Sequence, residues 1–308
     1  MEKVEIFKIP ALYRDDFRVK GFRFGTGEKK LSIVGSLRGN EYQQIYICSL
    51  LVNKLKKLEQ EGMLVDGKEV LVVPALNPYS MNIGKRFWPT DNSDINRMFP
   101  GYSLGETTQR IAAGVFDVIS EYENGIQFAS FYMSGDFLPH VHIMETGFED
   151  TKKAKEFGLP YVVIRKPRPF DTTTLNYNWQ IWETAAFSLY STTTKTIDEK
   201  SANQVVDGVI RFMKTEGIVK GDAEQTEVSQ VLFNDDMISL RNTQAGILCK
   251  SAIVGQHMKK GEKFGYVQDT LEGDIIEEII APVDGTIFFV YDNPMVNEKT
   301  AVCKIIPD

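Results

Sequence analysis

Residues Asn77–Gly101 read NPYSMNIGKRFWPTDNSDINRMFPG, and this stretch decides what kind of protein the chain encodes. It places Arg86 and the Asn96-Arg97 pair among proline-bounded turns, just after the apolar run Val70-Leu71-Val72-Val73. An apolar run feeding a polar, proline-punctuated segment predicts a loop on the end of a buried strand, where α/β proteins hold their ligands. Two guanidinium groups beside a carboxamide suit two-point capture of a carboxylate. Arg86, Asn96 and Arg97 are therefore candidate binding residues for a small anion. A plainer reading makes them struts of a surface loop tied down by Asp91 and Asp94.

Around this segment, strand-like and helix-like patterns alternate. Leu31–Val34, ending at Gly35, predicts a buried strand, and apolar residues at 45, 47, 50, 51, 55 and 58 predict a helix over Glu41–Glu61. Further strands are expected at 69–73, Phe128–Tyr132, 140–144, Tyr161–Ile164 and Ala185–Tyr190, with helices near Glu106–Tyr122 and Asp198–Thr215. This order predicts a mostly parallel sheet with helices on both faces. The run Asn176–Trp182, NYNWQIW, fits no regular period. Composition turns polar over 217–230, and the chain beyond is short strands punctuated by glycine, the pattern of a small all-β unit. The expected division is an α/β domain over 1–220 and a β-barrel or sandwich over 221–308.

The net charge of −7 disfavours nucleic acid and anionic membrane surfaces as partners, so an anionic ligand needs a local basic pocket. No segment approaches the roughly 20 apolar residues of a membrane span. The charged start without an apolar core segment, and Cys48, Cys249 and Cys303 scattered in apolar surroundings, predict a cytoplasmic protein with reduced thiols.

The Asn77–Gly101 run closely resembles the NP…R…P.D..D.NR.FPG signature of the succinylglutamate desuccinylase/aspartoacylase family. GSLRGNE at 35–41 is similar to that family's G-x-H-G-N-E, and SFY at 130–132 stands where D-L-H is expected. Pro139-His140-Val141 resembles its Pro-His-Val, and AAFSLY at 185–190 the strand that ends in a catalytic Glu. Lys260-Gly261 and Ala281–Gly285 are similar to its C-terminal β unit. The resemblance implies a carboxypeptidase-like mixed sheet flanked by helices and zinc-dependent cleavage of the amide of N-acyl amino acids.

The departures from the family pattern fall on its chemistry. Two histidines and a glutamate would hold the zinc, leaving one position for water, and a further glutamate would act as base. Here those positions read Arg38, Glu41, Tyr132 and Tyr190. A guanidinium does not ligate metal, and a phenol titrating near 10 is a poor base at neutral pH. The expected site is therefore metal-free, with remnant Glu41 paired to Arg38. An alternative metal site would use His140 and His142, which alternation puts on one face of a strand, with Glu145. His257 reads as a solvated loop residue. The tip Asp269–Asp274 carries no lysine for a covalent cofactor. Trp179 or Trp182 lines the pocket or covers the edge of the core.

These readings predict a degenerate deacylase that binds an N-acyl amino acid or similar anion and carries no resident cofactor. Its partners would be such a ligand and further copies of itself or an active relative, to which it would be a non-catalytic subunit. The competing expectation is a working amidohydrolase with a non-standard metal site, in which case zinc is the cofactor. A third is an interaction protein that assembles through its β unit.

Overall fold

The computed structural model describes every residue of the chain except Arg14 and Tyr132. Contacts divide the chain into two units. The first comprises 1–130, 139–191 and 195–231, and the second 131–138, 192–194 and 232–308. The divide falls later than the expected position 220, and two short pieces of the middle of the chain join the second unit.

The first unit is built on a mixed sheet of strands β1 (Glu2–Ile9), β2 (Phe17–Gly25), β3 (Glu28–Ser36), β4 (Lys68–Ala75) and β5 (Asn124–Phe128). After β6 (Gly135–Phe137), which belongs to the second unit, it continues with β7 (His140–Met144), β8 (Tyr161–Arg165), β9 (Ala185–Tyr190) and β10 (Gln230–Phe233), the last two residues of which are assigned to the second unit. The order is β1-β2-β4-β3-β5-β9-β7-β8-β10. Strands β4, β3, β5 and β9 run parallel, as expected. The sheet is nevertheless more mixed than the alternating pattern predicts. The β1–β2 hairpin packs antiparallel on β4, and β7 runs antiparallel to β9. Strand β5 ends at Phe128 rather than reaching toward 132.

Helices α1 (Tyr42–Gln60), α2 (Pro78–Asn82), α3 (Thr107–Ile119), α4 (Thr151–Lys155), α5 (Leu175–Ile181) and α6 (Glu199–Thr215) complete the unit. One apolar core joins α1 and α6 to Leu31, Ile33, Ile126, Val141 and Phe187 of the sheet. A second joins α3 and Trp179 of α5 to Val34, Val73 and Ala186. The inward side of α1 differs slightly from the periodicity reading, for Gln43, Gln44 and Cys48 are buried with Ile47, Leu51 and Leu55. Both amides bond backbone: Gln43 bonds both the N–H and the carbonyl of Asp198, and Gln44 donates its Nε2 to the Ala129 carbonyl. The NYNWQIW run is largely helical, a correction to its reading as irregular. On α4, Lys153 Nζ lies 2.6 Å from Glu216 and 3.0 Å from Asn124 Oδ1. Burial and the Glu216 carboxylate push neighbouring Glu156 up to about 7.

The second unit contains β6, β11 (Ile238–Arg241), β12 (Gly246–Lys250), β13 (His257–Met258), β14 (Lys263–Gln268), β15 (Ile275–Ile280), β16 (Gly285–Tyr291), β17 (Met295–Val296) and β18 (Ala301–Pro307). They form two sheets, β11-β18-β16-β13 with β6 on β16, and β15-β14-β12-β17. The β6–β16 pairing explains why 131–138 belongs here. Leu248, Phe264 and Val267 from one sheet share an apolar core with Ile287, Val302 and Ile305 from the other. His257 is exposed and 3.0 Å from Asp308. The cysteines are free thiols, Cys48 and Cys303 buried and Cys249 half-buried. Among the described residues no helix is long and apolar enough to cross a membrane.

Candidate functional site

Because β3, β4, β5 and β9 run parallel, the chain leaves all four at one edge of the sheet, and β7 enters there beside the end of β9. That edge gathers Arg38 after β3, the 77–101 segment after β4, Ser130 after β5, and Tyr190 with His140. Local sequence holds each turn in place. Asn77 caps α2 by accepting from Ser80 N–H at 3.1 Å, with Pro78 in the first turn, where its missing N–H costs nothing. Asp94 caps the short turn Ile95–Arg97. Gly39 lies so close to the next turn that an added Cβ would collide with the backbone of Ser80, Met81 and Lys85, and its N–H donates to the Arg86 carbonyl at 3.0 Å.

At the centre is Arg38, only 4% exposed. Its Nη1 donates to Glu41 Oε1 at 3.0 Å and to Ser130 Oγ at 3.2 Å. Its Nε and Nη2 grip Asp94 as a fork, Nε 3.1 Å from Oδ1 and Nη2 2.9 Å from Oδ2. Burial alone would push this guanidinium down, but Glu41 and Asp94 outweigh it and hold its pKa above the ordinary value. Glu41 also accepts from the Leu37 and Arg38 backbone N–H groups, at 2.7 and 2.9 Å, and from Ser130 Oγ. The pairing of Arg38 with Glu41 is thus present. Asp94, expected in the plainer reading to tie down Arg86 and Arg97, instead faces Arg38, while Asp91 accepts from Ser93.

Arg86 is half-buried, with its guanidinium over the Phe87 ring. Burial, then the charge of Arg38, draws its pKa below the usual value. Arg97 lies 3.6 Å from Asp171 Oδ1 and donates to the Phe170 carbonyl. Asn96 is buried, and its Oδ1 accepts from Leu175 N–H at 3.1 Å, joining the segment to α5.

A second arginine–carboxylate pair was absent from the sequence reading. Arg165, closing β8, donates to Asp171 Oδ2 at 2.8 Å. Burial opposes the charge on Asp171, but Arg165, the Arg168 N–H and Arg97 together keep its carboxyl below the ordinary range. The available signal was a basic residue ending an apolar run and followed by a proline-bounded turn with an acid, R-K-P-R-P-F-D. Tyr190 feels the charges of both pairs. Burial raises its phenol, and the charges of Arg165, Arg38, Glu41 and Asp171 all reach it.

His140 stacks on Tyr190 with ring centroids 4.6 Å apart, and His142 Nε2 is 3.4 Å from Arg165 Nε. Glu145 is exposed. The H-x-H thus meets the Tyr190 phenol and the Arg165 guanidinium. Among the described residues no three His, Cys, Asp or Glu side chains gather as a metal site would require. Tyr132, expected at the third ligand position, lies outside the described residues. Trp179 is fully buried in the core beneath β5, and the ring of the exposed Trp182 meets Phe116 edge-on, so both cover core.

The description "Succinylglutamate desuccinylase/Aspartoacylase catalytic domain" matches residues 28–214. The chain is 24% identical over 282 residues to N-alpha-acetyl-L-2,4-diaminobutyric acid deacetylase of Halomonas elongata, covering 85% of this chain and 77% of that one. Its fold is shared with the crystal structure of succinylglutamate desuccinylase/aspartoacylase from Rhodobacter sphaeroides, at a TM-score of 0.81 and 18% identity, over 98% of this chain and 94% of that one. The product-bound ectoine utilization protein EutE (DoeB) from Ruegeria pomeroyi matches equally well, at a TM-score of 0.81 and 19% identity, with the same coverage. With its motifs, its sheet and more than half its length matched, the chain belongs to the succinylglutamate desuccinylase/aspartoacylase family.

Proposed function

We propose that this protein is a ligand-binding member of its deacylase family that holds a small carboxylate through Arg86, Asn96 and Arg97 and has lost the hydrolytic centre. The observation that carries the reading is the buried fork of Arg38. Zinc would need donors with free lone pairs, yet a guanidinium occupies the first ligand position, and the Glu41 carboxylate is already engaged by Arg38, two backbone N–H groups and Ser130. The described residues do not fit the metal. Tyr190, at the position of the base, is held in its neutral form by burial.

The name of the Halomonas relative favours a second reading, a working amidohydrolase acting on an N-acyl amino acid. Zinc analysis of protein purified without chelators or metal-affinity steps separates the two. Well under one equivalent is expected. A full equivalent, together with chelator-sensitive hydrolysis of an N-acyl amino acid, would overturn the degenerate reading. Binding is tested by thermal shift against N-acyl amino acids. Arg97→Ala, whose side chain is 30% exposed, should leave the unliganded melting temperature nearly unchanged and abolish the ligand-induced shift. An undiminished shift removes Arg97 from the site.

A further inference from the structure

Strand β15 ends the β15-β14-β12-β17 sheet, pairing with β14 along one side and, among the described residues, with no strand along the other. Exposed strand edges usually carry charges, because a row of unpaired backbone N–H and C=O groups is a template for one more strand. Strand β1, at an edge of the first unit's sheet, fits that rule, its exposed residues being Glu2, Lys3, Glu5 and Lys8. Strand β15 reads Ile-Ile-Glu-Glu-Ile-Ile and departs from it. Ile276 and Ile280 are 40% and 42% exposed, and Ile275 and Leu271 of the β14–β15 turn are exposed beside them. Both acids are already engaged. Glu277 accepts from the Thr243 and Gln244 N–H groups at 2.8 and 2.9 Å, and Glu278 lies 2.6 Å from Lys263 Nζ.

Register assigns the two faces. Glu277 is opposite the fully buried Val267, and Ile279 joins the core with it. Glu278 is opposite Tyr266, so Ile276, Glu278 and Ile280 share the outer face, with Tyr266 and Lys263 of β14 next to them. The row Ile-Glu-Ile reads the same in both directions, as a two-fold contact with an identical strand requires. In an antiparallel register centred on Glu278, Ile276 of each copy faces Ile280 of the other. Moving the centre to 277 or 279 would set an isoleucine against Glu278 instead. Two like charges directly opposite would repel. Each Glu278 arrives with its own Lys263, however, so the axis gathers two acids and two lysines.

We infer that, independently of any ligand, two copies of this chain pair their β15 strands antiparallel about Glu278 and join their four-stranded sheets into one. The pairing completes the backbone hydrogen bonds of both edges and takes Ile276 and Ile280 of both copies out of water, while Lys263 and Glu278 fix the register. A contact of this size is smaller than that of a permanent dimer, so association depends on concentration.

Sedimentation velocity on the full chain, from about 1 to 200 µM, reads this out. The wild type should pass from monomer toward dimer as concentration rises. Ile276→Asp, at an exposed position, should melt at the wild-type temperature and associate at least about tenfold more weakly. Glu278→Lys should weaken the dimer by gathering four lysines at the axis, and adding Lys263→Glu should restore it, because the charges are exchanged and not lost. In a Cys249→Ser background, mild oxidation should link Glu278→Cys into a disulfide dimer but not Glu277→Cys, since residue 278 faces its own copy. A wild type that is monomeric at about 200 µM overturns the inference. So does a dimer that Ile276→Asp leaves intact, because the contact then lies elsewhere. A dimer that Ile276→Asp weakens but that shows neither the 278 cross-link nor the charge-swap rescue overturns the pairing about Glu278.

Discussion

Replacing Arg38 by methionine keeps the reach of the side chain and removes its charge, so it isolates what the guanidinium does. Glu41 would keep its bonds from Leu37, the residue-38 N–H and Ser130, but its side chain is 2% exposed and its ion-pair partner would be gone. Asp94 is 16% exposed on its side chain and retains the Asn96 N–H, so water can take over part of what it loses. Removing one member of a buried ion pair costs about 3–5 kcal/mol, most of it the penalty of the stranded charge. Taking about 4 kcal/mol, and about 2–4 °C per kcal/mol for domains of this size, the melting temperature should fall by roughly 8–16 °C. Circular dichroism or calorimetry at pH 7 measures this directly. Adding Glu41→Gln removes the stranded charge, so the double variant should recover about 2 kcal/mol relative to Arg38→Met. A single variant melting within about 2 °C of wild type, or a Glu41→Gln change that deepens the loss, would refute the account of Arg38 as internal counter-ion.

The pH dependence and the packing of the first unit supply two more expectations. Glu156, raised to about 7 against a usual 4.5, keeps its proton longer when folded, so native protein binds more protons between those values and stability falls as pH rises through the window. Glu156→Gln should therefore raise the melting temperature at pH 8 by the equivalent of about 1 kcal/mol, a shift discounted for its partial exposure, and the gain should vanish by about pH 4. No gain at pH 8 would mean that Lys153 already neutralises the carboxylate. Gly125→Ala would place a Cβ 2.8 Å from the buried Trp179 ring, and a loss of about 1–3 kcal/mol is expected in denaturant titration.

The inner strands were legible in sequence because burial on both faces leaves continuous apolar runs, as in Val70–Val73 and Tyr161–Ile164. The β1–β2 hairpin escaped notice. Its half-exposed alternation, with Val4 and Ile6 among glutamates and lysines, reads as a charged start unless the period of two is sought. Helix α5 escaped because three of its five buried residues are amides, which leave only Leu175 and Trp179 to mark an apolar face. In the site, the pairing of Arg38 with Glu41 could be read from a spacing of three. Its partners Asp94 and Ser130, and the link of Arg97 to Asp171, join residues more than fifty positions apart, and only the parallel strand ends bring them together.

The contact at Gly39 has a consequence for how the site opens. Its amide is bonded to the Arg86 carbonyl, and the backbone of Ser80–Lys85 leaves no slack around it, so the turn after β3 and the arginine segment cannot separate by degrees. They should therefore open together. In hydrogen exchange the Gly39 amide should report the free energy of releasing the whole arginine arm.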